Sequence, residues 1–147
     1  VLIDYAHTPD GLEKVLLSAR DFCKGRLIAV FGCGGDRDPI KRPIMGKIGV
    51  QCADFAVITS DNPRTEEPMA IIRDILKGIE PGMGEYTVIE DRRKAIRYAM
   101  DIGKKDDIIV LAGKGHETYQ EINGHKYQLD EREEVQSYLS ELRNMHE

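Results

Sequence analysis

Apolar residues fall along this chain in two alternating patterns. Unbroken runs at residues 26–31 (RLIAVF), 54–60 (DFAVITS) and 107–112 (DIIVLA) read as strands buried on both faces. Residues 1–4 and 86–89 are shorter versions of the same signal. Between the runs, apolar positions recur at helical spacing. A first helix begins near Pro9, carries Leu12, Val15, Leu16, Ala19 and Cys23 inward, and stops at Gly25. A second has Pro43 in its first turn and Ile44, Met45, Ile48 and Cys52 on one face. A third is capped by Thr65, holds Glu66, Glu67 and Pro68 in its first turn, and turns Ile71, Ile72, Ile75, Leu76 and Ile79 inward. A fourth, capped by Asp91, carries Ala95, Ile96, Ala99 and Met100. Its charged residues Arg92, Arg93 and Lys94 read most simply as a solvated face. Asn123-Gly124 between residues 119–122 and 126–129 is a hairpin signal. A last helix from about Asp130 would turn Val135, Tyr138, Leu139 and Leu142 inward.

Strands alternating with amphipathic helices predict an α/β fold. The expectation is a Rossmann-like three-layer sandwich with a mostly parallel sheet, the C-terminal hairpin contributing an antiparallel strand. The 147 residues suffice for one domain with a real core and are too few for two. A net charge of −5 argues against a nucleic-acid footprint, which needs a basic face. The sequence holds no apolar run of membrane-spanning length and no signal peptide, so neither partner class is expected. Cys23, Cys33 and Cys52 show no CxxC spacing, which fits a reducing cytoplasm, and Cys23 and Cys52 are expected as buried thiols. The chain opens at Val1, inside what reads as a strand, and the expectation is a fragment of a larger protein.

Candidate chemistry gathers where strands end. Gly32-Cys33-Gly34-Gly35-Asp36-Arg37-Asp38 follows one strand and Thr59-Ser60-Asp61-Asn62-Pro63-Arg64 the next. In open α/β sheets ligands bind beyond the strand carboxyl ends. Two guanidinium groups converging there suit a carboxylate or a phosphate, held by bidentate hydrogen bonds. The glycine loop matches neither GxxxxGK[ST] nor GxGxxG with its acidic partner, and alone is as readily architectural as ligand-binding. Gly113-Lys114-Gly115-His116-Glu117 could serve proton transfer, phosphate contact or ammonium binding. Asp4 could accept from ribose hydroxyls, while His7 and Thr8 could instead cap the first helix. No second His or Cys stands at metal-ligand spacing from His116, so a zinc site is rejected.

Four stretches, DYAHTPD, FGCGGDRD with Lys41-Arg42-Pro43, DNPRTEEP and AGKGHE, together resemble the C-terminal domain of the Mur ligases. The resemblance runs along essentially the whole chain and is nearest to the members that add meso-diaminopimelate to UDP-MurNAc-L-Ala-D-Glu in peptidoglycan precursor synthesis. It implies that residues 1–147 are the amino-acid-binding domain, with the UDP-substrate domain and the central P-loop ATPase domain outside this chain. The implied reaction is ATP-dependent amide ligation. A carboxylate is phosphorylated to an acyl phosphate, the incoming amine attacks, and phosphate leaves. By motif match, Arg37, Asn62 and Arg64 are implied contacts to diaminopimelate carboxylates. Gly113, through its carbonyl, and Glu117 are implied partners of the distal ammonium. Asp4, His7 and Lys114 are implied near ATP. The Mg2+ ligands and the carbamylated lysine belong to the central domain, and no catalytic or metal-binding residue is expected here.

Three alternatives remain at this point. One is a lysine-adding ligase domain and one a folylpolyglutamate synthase-type domain; Arg64 within Asp-Asn-Pro-Arg argues against both. The third is a stand-alone, non-catalytic binding module. If the resemblance holds, the isolated chain neither ligates, nor hydrolyses ATP, nor holds Mg2+ tightly. Steady-state ATP turnover by the pure chain measures this, and appreciable turnover would contradict it.

Overall fold

The computed structural model describes residues 1–146. Five strands, β1 (Leu2–Asp4), β2 (Leu27–Phe31), β3 (Phe55–Ile58), β4 (Tyr86–Val88) and β5 (Ile108–Ala112), form one sheet in the order β1-β5-β2-β3-β4. Every neighbouring pair is parallel. Five helices connect or follow them: α1 (Pro9–Phe22), α2 (Lys41–Cys52), α3 (Pro68–Leu76), α4 (Arg92–Ile102) and α5 (Glu131–His146). The pleat sends alternate strand residues to opposite layers. Leu27, Ala29 and Phe31 join a core with α1, α2 and α3, whereas Ile28 and Val30 join a second core with α4 and α5. This is the expected Rossmann-like three-layer sandwich.

The hairpin forms where Asn123-Gly124 predicted it, between β6 (Tyr119–Ile122) and β7 (His125–Gln128). Both turn residues have positive φ, 51° and 76°, as a two-residue turn requires. It does not add a strand to the main sheet. The two strands pair with each other, and they are tied to the rest of the fold by a β-bridge between Arg64 and Ile122 and by hydrogen bonds from the Gln120 amide to the Asp61 carbonyl and from the Glu121 N–H to Asn62 Oδ1.

Several details differ from the sequence reading. The inward face of α2 is Met45, Gly46, Gly49 and Val50, while Ile44 is exposed. A Cβ at Gly49 would strike the Phe31 ring and one at Gly46 the backbone of Ile75, so the helix rides on its smallest residues. Thr65 does not cap α3; Glu67 does, accepting from the N–H groups of Met69 and Ala70. Asp91 caps α4 as expected, accepting from the Lys94 N–H. The Cys23 and Cys52 thiols are only half-buried, whereas Cys33 is fully buried. On α5 the inward residues are Val135, Glu131 and Glu134, and Leu139 is exposed.

Arg92 overturns the solvated-face reading most clearly. Its side chain is fully buried and its guanidinium is spent internally. Nε donates to Glu131 Oε2 at 3.0 Å, Nη1 to the Ser60 carbonyl at 3.0 Å and Nη2 to the Ala112 carbonyl at 2.9 Å. Arg93 also pairs inward, with Glu134 and the Gln128 carbonyl. Helix α5 thus meets α4 through ion pairs as well as through Val135, which packs with Ala95, Ile96 and Ala99.

Removing one partner of a buried pair strands the other. Arg92→Met is therefore expected to lower unfolding free energy by about 3–5 kcal/mol. Lys14→Met, which breaks an exposed pair with Asp10 on α1, should cost less than about 0.5 kcal/mol. Chemical denaturation of the two variants measures the contrast, and similar losses would contradict it.

Candidate functional site

Four loops leave the sheet at one edge, residues 5–8 after β1, 32–38 after β2, 59–64 after β3 and 113–117 after β5. A cleft of about 260 Å³ lies among them. Six of the eight residues singled out in the sequence line it, namely His7, Arg37, Asn62, Arg64, Gly113 and Glu117. Asp4 and Lys114 do not. The sequence reading had not singled out Asp61, Lys41, Tyr5 and Thr8, which also face the cleft. Asp61 and Lys41 stood inside the motifs, so the signal for them was present.

The loops after β2 and β3 are laced together. The Gly35 N–H donates to the Asn62 carbonyl at 2.8 Å, and Arg64 Nη1 donates back to the Gly35 carbonyl at 2.9 Å. Thr65, freed from capping, donates its hydroxyl to Asp36 Oδ1 at 2.6 Å. That bond, with the Thr65 N–H and the nearby Arg64 and Arg37 charges, holds the Asp36 carboxyl below its ordinary range. Beneath the glycine loop Arg42 is 2% exposed and donates to Glu66, Asp74 and the Gly34 carbonyl. The hydrogen bond from Arg42 holds the Glu66 carboxyl below its ordinary range. Burial pushes the Cys33 thiol up to about 12, so this cysteine is an inert filler of the loop.

Both arginines converge on Gly34. A Cβ there would lie 2.9 Å from Arg64 Nη1 and 3.7 Å from Arg37 Cγ. Arg37 is exposed and, among the described residues, bonds only the Asp36 carbonyl, at 2.9 Å. Arg64 has φ 53°, a left-handed conformation that costs a non-glycine residue about 1–2 kcal/mol. The hairpin offsets this cost. Arg64 N–H donates to the Glu121 carbonyl at 3.0 Å, and its own carbonyl accepts from the Asn123 N–H at 2.8 Å. Its Nε lies 3.6 Å from Glu121 Oε2.

The loop after β5 supplies the opposite charge. Glu117 is partly exposed in the cleft, and Gly113 lies against the Asp61 carboxylate, which a Cβ there would approach to 3.2 Å. Lys114, implied near ATP by the resemblance, is enclosed within the protein. Its ammonium is fully buried, with Asp61 Oδ1 at 3.2 Å, Asn62 Oδ1 at 2.9 Å and Glu117 Oε1 at 3.4 Å. Beside Gly34 the cleft therefore presents Arg37 and Arg64, and around Lys114 it presents Asp61 and Glu117, while Lys41 donates to the His7 carbonyl at 3.1 Å. Such polarity suits a small zwitterion.

Asp4 sits in an adjoining hollow of about 330 Å³ with Tyr5, His116 and Arg132. Its Oδ1 accepts from the Ala6 N–H at 2.8 Å, leaving Oδ2 without a partner among the described residues. His7 is exposed, its Nδ1 3.0 Å from the Tyr5 carbonyl, while Thr8 caps α1. Among the described residues no group of three or more His, Cys, Asp or Glu is placed to hold a metal. A larger groove of about 550 Å³ runs behind the hairpin, along Pro63, Gln120 and Tyr127. Its Arg93 is already paired with Glu134, and none of the eight residues lines it.

Comparison with known proteins bears on the same residues. The family model described as "Mur ligase, glutamate ligase domain" matches residues 1–115. The UDP-N-acetylmuramoyl-L-alanyl-D-glutamate–2,6-diaminopimelate ligase of Clostridium botulinum is 58% identical over 142 residues, which is 97% of this chain and 29% of that protein. The enzyme of the same name from Gloeobacter violaceus is 54% identical over 144 residues, 98% of this chain and 29% of its own length. A solved structure of a ligase of that name superposes with TM-score 0.92 at 45% identity, over 96% of this chain and 29% of that one. Escherichia coli FolC, solved with ADP, shares the fold at TM-score 0.52 and 21% identity, over 76% of this chain and 25% of its own. The chain thus spans about 29% of the length of the curated relatives it matches.

The lacing leaves no room for a side chain at Gly35, where a Cβ would fall inside the Pro63 carbonyl. Gly35→Ala is expected to cost about 1–3 kcal/mol and to separate the two arginine-bearing loops. Gly82→Ala, with nothing within 4 Å, carries only the strain of its positive φ and serves as the control. Thermal unfolding measures both, and a Gly35→Ala loss no larger than the control's would contradict the close approach.

Proposed function

The chain belongs to the Mur ligase family, and on that premise we propose that it is the domain that brings meso-diaminopimelate to the acyl phosphate in the UDP-MurNAc-L-Ala-D-Glu ligase. The observation that carries this reading is the polarity of the cleft, with Arg37 and Arg64 at one end and Glu117 and Asp61 at the other. Diaminopimelate carries at its far end both an ammonium and a carboxylate. Arg64, Arg37 and Asn62 take the carboxylate, and Glu117 with the Gly113 carbonyl takes the ammonium. Lysine, with an ammonium alone, brings no carboxylate to the arginines, forgoes that charge-assisted pairing and is disfavoured for that reason. The names of the curated relatives support the same substrate.

In this reading ATP supplies the phosphoryl group that activates the D-glutamate carboxylate of UDP-MurNAc-dipeptide, and Mg2+ is held outside this chain. Asp4 Oδ2 is the group here best suited to a ribose hydroxyl, and the His7 ring lies 4.9 Å from that of Tyr5, which borders both hollows. Lys114 is too buried to meet phosphate. The domain's part in the reaction is positional. It holds the near amino group against the acyl phosphate and, by closing, excludes water from it. No helix of the described residues is long and apolar enough to cross a membrane.

Truncating one partner of a desolvated charge pair costs roughly 2–5 kcal/mol. In the full-length ligase, Arg64→Ala should raise the KM for meso-diaminopimelate by about thirtyfold or more, with the KM for ATP changed less than about twofold. Steady-state kinetics measures both. A diaminopimelate KM within about twofold of the wild type would refute the carboxylate clamp.

A further inference from the structure

We propose that Lys114 is a positioning residue that turns the amide of Asn62 into a pure hydrogen-bond donor toward the cleft, and so sets which end of the cleft accepts a carboxylate. This rests on the reading of the cleft as the diaminopimelate site.

The argument is a count of donors and acceptors. An ammonium has three N–H groups, and that of Lys114, with no solvent contact, has three oxygen partners, on Asp61, Asn62 and Glu117. Asn62 Oδ1 has two lone pairs. One accepts from Lys114 at 2.9 Å and the other from the Glu121 N–H at 2.9 Å. Turning the amide over would set its NH2 group against both an ammonium and a backbone N–H, two donor-on-donor contacts in a site that water does not reach. The oxygen therefore faces inward. Nδ2, which has no partner among the described residues, is left for the cleft that Asn62 lines.

An asparagine free to turn would serve an ammonium as readily as a carboxylate. Held by Lys114, it serves only an acceptor and so adds to the arginine end. The same ammonium stands between Asp61 and Glu117, two carboxylates that would otherwise repel one another. A buried cation thus organises both ends of the cleft without touching its occupant.

A double-mutant cycle in the full-length ligase separates this role from simple support of the fold. Lys114→Met alone should raise the KM for meso-diaminopimelate at least about tenfold, with the KM for ATP within about twofold. In an Asn62→Ala background the same change should raise the KM by a markedly smaller factor, because the amide it orients is gone and only its separation of Asp61 and Glu117 is left to lose. Equal factors in both backgrounds, or no rise from Lys114→Met, overturn the proposal. Should Lys114→Met not fold, Asn62→Asp carries the test. It keeps both inward hydrogen bonds but presents an oxygen to the cleft, and should raise the diaminopimelate KM by about a hundredfold; a KM within about twofold overturns the proposal. If neither Asn62→Ala nor Arg64→Ala moves the diaminopimelate KM, the substrate reading itself fails. If Asn62→Ala moves it and Lys114→Met does not, the substrate reading stands and only the role of Lys114 is lost.

Discussion

The guanidinium of Arg92 holds the ends of two strands that are not neighbours. Strand β2 lies between β5 and β3, yet Arg92 bonds the carbonyl of Ala112, the last residue of β5, and that of Ser60, just past β3. The residues that follow these carbonyls are Gly113 and Asp61, which lie against each other in the lining of the cleft. Their approach is therefore held from the opposite layer of the sandwich, by a side chain that is fully buried. Glu131 completes the arrangement by neutralising the charge, and so anchors α5 to the same point. A buried pair of this kind adds little net stability over an apolar one, but its directional hydrogen bonds define geometry.

On that frame the cleft is assembled from loops that brace each other. The hairpin, which stays outside the main sheet, holds Arg64 by two backbone hydrogen bonds in a conformation this residue would not choose alone. The glycine loop and the Asp-Asn-Pro-Arg loop are tied by main-chain bonds, by Thr65 to Asp36 and by Arg42 below. Pre-organisation of this sort means that charged groups need little rearrangement to receive a zwitterion. On the proposed reading it also favours a ligand with a second carboxylate, because one without it forgoes the pairing with the guanidinium groups.

The sheet and the helices were legible in the sequence because their signals are local. Unbroken apolar runs end in polar loops, and helical spacing resumes between them. The loops of the site were legible as motifs, and six of the eight residues chosen line one cleft. What the sequence did not disclose are pairings between distant segments. Arg92 looks solvated until α5 brings Glu131 to it, 39 residues later. Thr65 looks like a cap until Asp36 takes its hydroxyl. Lys114 reads as a phosphate ligand until Asp61, Asn62 and Glu117 enclose it. The inward face of α2 was read only in part: Met45, Ile48 and Cys52 pack on the core as expected, but hydrophobic spacing gives no weight to glycine, and Gly46 and Gly49 are pressed against Ile75 and Phe31.

The central claim is that the smaller, polar cleft between the strand-end loops, and not the larger groove behind the hairpin, receives the amino acid. A crystal structure of the full-length ligase with meso-diaminopimelate tests this most directly. The account predicts the distal carboxylate within about 3 Å of Arg64, Arg37 and the Asn62 amide nitrogen, and the distal ammonium beside Glu117. Diaminopimelate seated behind the hairpin, or bound in the cleft with its ammonium toward Arg64, would contradict it.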